Sequence, residues 1–239
     1  MFECSCLSQH RGLEHFGSSQ IIIAALNETQ GIGATIEELQ KSLGSPTLLY
    51  VDGNNTDQTV EVVTDFGVNI VFQEGTGKGD AIAKAFKRMR KNVEYVVLTD
   101  ADYESLADYI PAMIEILEQN PKVGMVCGNR FNGQDGSKSL NKRFYYGNRL
   151  LAFAHKRFNG VSIHDPLTGL RVIRTELLRD WAIKSKGFDI DVELNCQIKR
   201  KGLKIIEVPI KHQQRIGEKK LKTKHAIVIL KRILLEAIR

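Results

Sequence analysis

A chain of 239 residues, 42% apolar and 26% charged, has ample material for one large domain with a hydrophobic core. No apolar run approaches the roughly 18–20 residues that a membrane-spanning helix requires. The net charge of +6 is unevenly spread: residues 199–239 hold thirteen Lys or Arg against Glu207, Glu218 and Glu236, a net of +10 that leaves −4 for the rest. Such a basic last segment suits an anionic partner: nucleic acid, a phosphorylated substrate or an acidic membrane surface. Residues 1–20 mix Cys4, Cys6, His10, Arg11 and Glu14 without the apolar stretch of a secretory signal, and are expected to be a poorly ordered extension. Cys4-Ser5-Cys6 lacks a paired second half for zinc, and Cys127 sits in an apolar run. The four cysteines fit a reducing, cytosolic compartment.

Strand and helix signals alternate along the chain. Residues 21–26 form a short β-branched apolar run, and 32–43 carry Ile32, Ile36, Leu39 and Leu43 at the spacing of one helix face. Further strands are expected over 47–51, 68–72, 94–98 and 123–127, and helices over 56–66, 80–89 and 105–118. Repeated βα units predict an α/β fold, a Rossmann-like and mostly parallel sheet covered by helices on both faces. Right-handed crossovers would gather the strand-to-helix loops at one edge, where open α/β sheets bind ligands. The folded domain is expected over 21–210, with a basic segment and a terminal helix over 211–239.

The most informative loop follows Tyr95-Val96-Val97-Leu98-Thr99, where Asp100, Asp102 and Glu104 fall at alternating positions. If strand geometry persists, the three carboxylates project to one side. Their crowding calls for a neutralising cation, and a hard divalent ion characteristically joins one or two carboxylates to substrate phosphates. A solvated acidic turn is the plain alternative. Asp52 closes another apolar run, where a carboxylate can accept from the ring N–H of uracil or guanine, whereas Asn55, Thr56 and Asp57 also fit helix N-caps. Gly75, Gly77 and Gly79 around Lys78 permit phosphate to approach backbone and ammonium closely. The absence of GxxxxGK[ST] and of a complete GxGxxG argues against a P-loop ATPase and a Rossmann dehydrogenase.

Taken together, Leu26-Asn27-Glu28, Val51-Asp52-Gly53-Asn54-Asn55-Thr56-Asp57, Gly77-Lys78-Gly79 and Thr99-Asp100-Ala101-Asp102 resemble the inverting glycosyltransferases of GT-A fold. The second half is most similar to the polyprenyl-phosphate sugar synthases, the dolichol-phosphate mannose and glucose synthase group. Its pieces are Gly128-Asn129-Arg130-Phe131, His164-Asp165-Pro166-Leu167-Thr168-Gly169-Leu170-Arg171, Gly187-Phe188-Asp189-Ile190-Asp191-Val192-Glu193, Glu207-Val208-Pro209-Ile210 and Arg215-Ile216-Gly217-Glu218-Lys219-Lys220. The resemblance implies that Leu26, Asn27, Glu28 and Asp52 hold the nucleobase and ribose, with Lys78 nearby. It implies that Asp100, Asp102 and Glu104 bind Mg2+ or Mn2+ on the diphosphate. It assigns Arg130, Arg143, Arg215 and Lys220 to the lipid phosphate, and makes Asp100, Asp102, Arg130 and Arg215 the catalytic group. Four departures stand out: Gly53 where a second acid is common, Gly147 where a Ser is common, Glu104 in place of a neutral amide, and no QxxRW motif.

The implied reaction moves a hexose or N-acetylhexosamine from a nucleotide diphosphate sugar to a polyprenyl phosphate with inversion. The metal and Lys78 would neutralise the departing diphosphate, and an already anionic phosphate acceptor needs little help from a base. Arg130 and Arg171 also fit simple pairing with nearby acids, Asp165 orienting Arg171. Asp191 and Glu193 fit the dipole of a helix start, and Asp189 is left open as a base. The C-terminal 223–239 segment repeats apolar residues at helical spacing beside Lys224, Lys231 and Arg232, as an amphipathic helix lying on a membrane surface would. Packing on the domain or a dimer contact is the alternative, and the oligomeric state is not set by the sequence. These features together place the protein peripherally on the cytosolic membrane face. A glycosyltransferase with a hydroxyl acceptor is the nearest competing reading. A nucleotidyltransferase would need a glycine-rich Arg/Lys loop after the first strand, which Asn27-Glu28 does not supply. A nucleic-acid binder would explain the basic tail alone, and no aromatic stacking platform accompanies it.

Overall fold

The apolar runs become strands and the segments of 3.6-residue period become helices, in a computed structural model that describes residues 18–104, 107–131, 142–211 and 213–239. Most of the N-terminal extension, with Cys4 and Cys6, lies outside the described residues. In order come β1 (Ser19–Ala25), α1 (Thr29–Leu43), β2 (Leu48–Asp52), α2 (Thr59–Asp65), β3 (Asn69–Phe72), α3 (Lys78–Arg88) and β4 (Tyr95–Thr99). A 3-10 turn (Ala107–Tyr109) leads into α4 (Ile110–Gln119), followed by β5 (Val123–Asn129), α5 (Lys142–Asn159) and β6 (Arg171–Arg174). The chain ends with α6 (Ile190–Arg200), β7 (Lys204–Pro209) and α7 (Thr223–Ala237).

The seven strands lie in the order β3-β2-β1-β4-β6-β5-β7. β1 is parallel to both β2 and β4, β2 to β3, and β5 to β7, while β6 runs antiparallel to β4 and β5. The sheet is therefore mixed, with a single reversed strand. Strand alternation divides the core cleanly. Ile21, Ile23, Tyr50 and Val97 face the cluster that holds α1, α2 and α4, whereas Ile22, Val51, Val96 and Leu98 face α3 and α6. Helix α1 meets its face through Ile32, Ile36, Leu39 and Leu43, all at most 2% exposed. Its first turn also approaches the loop after β4 so closely that a side chain at Gly31 would meet the Ala101 carbonyl oxygen at 2.7 Å. From β1 and β4, which are neighbours, the chain proceeds toward opposite edges of the sheet, β1 to β2 and β3 and β4 to β5, β6 and β7. That reversal of strand order opens a crevice at their C-terminal ends.

Helix α7 packs on the domain through one face. Ile229 and Ile233 enter a third cluster with Leu151, Ala154, Val192 and Cys196, and burying each contributes roughly 1.5–3 kcal/mol. Polar ties fix the same face. Asn159 Nδ2 donates to the Ile233 carbonyl at 3.1 Å, Arg232 pairs with Asp189 at 2.9 Å, and the buried Glu236 carboxylate takes Arg200 and Arg239.

Candidate active site

Loops at the C-terminal ends of the parallel strands enclose a cavity of about 810 Å³ over the β1–β4 crevice. Nine of the twelve site side chains expected from the sequence line it: Leu26, Glu28, Lys78, Asp100, Asp102, Glu104, Arg130, Arg215 and Lys220, with Asn27, Asp52 and Arg143 outside.

The acids after β4 reach the cavity by a turn rather than by strand alternation. The strand ends at Thr99, and Tyr103 takes a φ of 63°, so the extended geometry does not persist. The turn is fixed from outside: Tyr103 N–H donates to Thr35 Oγ1 at 3.1 Å, and Ile216 N–H to the Asp102 carbonyl at 3.0 Å. Each acid then faces its own cation. Asp100 lies 3.2 Å from Lys78 Nζ, Asp102 meets Arg215, and Glu104 lies 3.4 Å from Arg130. Among the described residues no three such side chains form a ready-made metal cage, so the one-sided trio expected from the strand is replaced by three acid–cation pairs.

The electrostatics of these pairs are unequal. Burial opposes the charge of Asp100, but Lys78 outweighs it and holds the carboxyl below the usual range. Lys78 is likewise desolvated, and Asp100 and Asp191 (3.6 Å away) keep it firmly protonated. Asp102 is pushed upward by burial and then by repulsion from Asp100 and Glu104, which Arg215 only partly offsets. Glu28 is raised by burial too, although Arg215 touches its Oε1. Its Oε2 is buried without a protein partner, as is Arg215 Nε. Oxygen donors crowded beyond what their cations neutralise, beside unpartnered polar atoms, fit a hard divalent ion with an anionic ligand.

Three side chains expected at the site are used elsewhere. Asn27 turns toward the next loop, where its Oδ1 accepts from Thr56 N–H at 2.8 Å. Asp52 is buried and caps its own turn, accepting from Asn54 N–H at 3.0 Å and from Asn55. Arg143 is exposed on the first turn of α5 and does not line the cavity. Of the three glycines, only Gly77 lines the cavity. Gly79 instead lets α3 meet the segment before α6, where an added Cβ would lie 2.7 Å from the Ser185 carbonyl carbon, and Gly75 donates to Asp80 at 2.9 Å.

Arg130 is buried and held on several sides. Asp165, fully buried, accepts from its Nε at 2.7 Å and from Nη2 at 3.0 Å, and Asn148 donates to the same carboxylate at 2.7 Å. Asp165 thus orients Arg130, not Arg171 as expected. Arg171 is fully buried among the carbonyls of Pro166 and Thr168, Asn195 Oδ1 and, at 3.6 Å, Asp191. Asp189, left open as a base, is bound by Arg232 outside the cavity, and Glu193 accepts from the backbone of Lys184 and Ser185. Asp191 does line the cavity, between Lys78 and Arg171.

Sequence reasoning missed the apolar wall. Phe144, Leu167, Phe188 and Leu221 line one end of the cavity, and Lys219 Nζ sits 3.7 Å from the Phe144 ring centroid, its pKa lowered by burial. These four come from separate segments, so no local pattern announces them. The only signal was the aromatic in Gly187-Phe188-Asp189.

Residues 20–181 match the model of glycosyl transferase family 2. A dolichyl-phosphate hexose transferase of Haloferax volcanii is 29% identical over 209 residues, covering 86% of this chain and 87% of that protein. An undecaprenyl-phosphate mannosyltransferase of Micrococcus luteus is 25% identical over 215 residues, covering 84% and 86%. In fold, the chain is similar to glucosyl-3-phosphoglycerate synthase of Mycobacterium tuberculosis, solved with Mn2+, UDP and glucosyl-3-phosphoglycerate. That likeness has a TM-score of 0.78 at 17% identity over 99% of this chain and 86% of the other. The expected GT-A-type α/β architecture is the one observed, and the chain is a glycosyltransferase belonging to glycosyl transferase family 2.

Proposed function

We propose that the enzyme transfers a hexose or N-acetylhexosamine from a nucleotide diphosphate sugar to a polyprenyl (dolichyl) phosphate, with inversion and with Mg2+ or Mn2+. The observation that carries this reading is one cavity joining buried carboxylates, three arginine or lysine partners and an apolar wall. The named activities of the Haloferax and Micrococcus relatives and the Mn2+ in the Mycobacterium structure support it.

Leu26 and Glu28 bracket the nucleoside, on loops that Asn27 and Asp52 hold in shape. Asp100 and Asp102 hold the divalent ion, and Glu104 adds negative charge beside Arg130. When bound, that ion supplies charge stabilisation for the departing nucleoside diphosphate. Lys78, kept protonated by Asp100 and Asp191, shares this task. Arg130, Arg215 and Lys220 hold the acceptor phosphate, the arginine fork matching its oxygens. Both Asp191 and Asp189 are committed to cations, which counts against either as the base that a hydroxyl acceptor would need. A phosphate acceptor has no such need. Its polyprenyl chain leaves along Phe144, Leu167, Phe188 and Leu221, and α7 keeps the enzyme peripherally on the cytosolic membrane face.

The test is a donor panel of GDP-mannose, UDP-glucose and UDP-N-acetylglucosamine with Mg2+ or Mn2+ and a short polyprenyl phosphate. One donor should stabilise the protein and yield a sugar-phosphoprenyl product together with its nucleoside diphosphate. Release of pyrophosphate, or transfer only to sugars or other hydroxyl compounds, would overturn the proposal.

A further inference from the structure

We propose that α5 and α7 together form a bilayer-docking face, so that the cavity mouth sits on an anionic membrane surface. Of the twelve exposed large apolar side chains among the described residues, all but Leu26 and Phe72 lie on α5, on α7 or at the α7 C-cap. On α5, Tyr146, Leu150 and Phe153 recur every three or four residues and are 65–68% exposed. They stand opposite the buried Asn148 and His155, so they form an outward stripe. On α7, Ile227, Leu234 and Ile238 form the matching stripe, opposite the packed Ile229 and Ile233. The two helices pack side by side, tied by Asn159 to the Ile233 carbonyl, which joins the stripes into one surface.

The charge on this surface decides its occupant. Arg149 and Arg157 are exposed beside the α5 stripe, and Lys224 and Lys231 beside that of α7. Neither helix exposes an acid, because α5 contains none and Glu236 of α7 is buried. A second copy docking by the same face would set cation against cation, whereas anionic headgroups over an apolar interior complement it. Both helices also begin at the cavity, where Phe144 of α5 and His225 of α7 line its wall. Docking on this face would present the cavity mouth to the headgroup layer.

The inference adds α5 to the lipid-acceptor reading on which it rests, and the two can fail separately. Co-sedimentation without donor, using phosphatidylcholine vesicles with and without phosphatidylglycerol, reads docking alone. Transfer to a water-soluble short-chain polyprenyl phosphate reads the acceptor alone. Wild type should pellet with anionic vesicles, and Leu150→Glu with Phe153→Glu should lower that partitioning at least about tenfold. The same variant should retain wild-type thermal unfolding and soluble-acceptor transfer, since neither side chain lines the cavity. Arg149→Gln with Arg157→Gln should weaken binding to the anionic vesicles only. The proposal falls if the α5 variant pellets like wild type, or if wild type does not bind anionic vesicles. It also falls if wild type is a dimer that the α5 substitutions convert to monomer. Docking that persists alongside failure to glycosylate any polyprenyl phosphate would uphold this face and sink the acceptor.

Discussion

Gly169→Ala isolates the placement of Asp100 from the stability of the fold. A Cβ at Gly169 would lie 2.6 Å from Asp100 Cγ and 3.3 Å from its Cβ, with a carboxylate oxygen nearer still. Ordinary contact begins at 3.4 Å, so the carboxylate must retreat by about an ångström, which disturbs its 3.2 Å pairing with Lys78. Its side chain is 36% exposed and has room to swing toward the cavity, so the stability loss should stay near an off-rotamer penalty of about 1 kcal/mol. Catalysis should suffer far more, because a misplacement of about 1 Å can cost on the order of a hundredfold in rate, or about 2.7 kcal/mol of barrier. Nucleoside diphosphate release under initial-rate conditions gives kcat/KM, and thermal unfolding of the same samples gives stability. Near-wild-type turnover would show that the position of Asp100 is not critical. A collapse in unfolding temperature would show that Gly169 serves the fold instead.

Other perturbations follow from the same contacts. Lys220→Ala should raise KM for the phosphate acceptor while sparing nucleotide affinity in a binding titration. Arg215→Ala should weaken both acceptor and nucleotide binding, because it also unpairs Glu28 and Asp102; loss of nucleotide affinity in Lys220→Ala alone would reverse the assignment. Asp165→Ala leaves Arg130 buried with Glu104 and a carbonyl, and should cost about 3–5 kcal/mol in urea unfolding; a loss under about 1 kcal/mol would mean the pair is hydrated. His155 is fully buried and burial lowers its pKa to about 4, from 6.5 when unfolded. Below pH 6.5 the unfolded chain binds a proton that the native state refuses, so stability from this site is full above 6.5 and is lost as pH falls toward 4, by roughly 3 kcal/mol. The wild-type minus His155→Leu difference in unfolding free energy should carry that slope, and a flat difference would contradict it.

The order of strands and helices through β5 was legible because their apolar runs and turn residues are local features. The reversed β6 was not, since Arg171–Arg174 is four residues long with arginine at both ends, and nothing local encodes its direction. Asp100, Asp102 and Glu104 were found by an argument that was half right. The acids do gather at the strand end, but Tyr103 breaks the alternation and separate cations divide them. Asp165 was matched with Arg171, its neighbour along the chain, when the fold gives it Arg130 from the turn just after β5. Helix α7 is apolar around most of its circumference, so periodicity alone left membrane and packing readings in competition. Ile229 and Ile233 took the domain, and Ile227 and Leu234 remain outside. The apolar cavity wall depends on residues brought together by tertiary structure, beyond the reach of any sequence window.

The most direct test of the central claim offers the enzyme its preferred nucleotide sugar and Mg2+ with either a short polyprenyl phosphate or the corresponding free polyprenol. The anomeric configuration of any product is then read by NMR. The account predicts transfer to the phosphate alone, with the anomeric centre inverted, and no transfer in excess chelator or with Asp102→Ala. Comparable transfer to the polyprenol, retention at the anomeric carbon, or full activity without metal would contradict it.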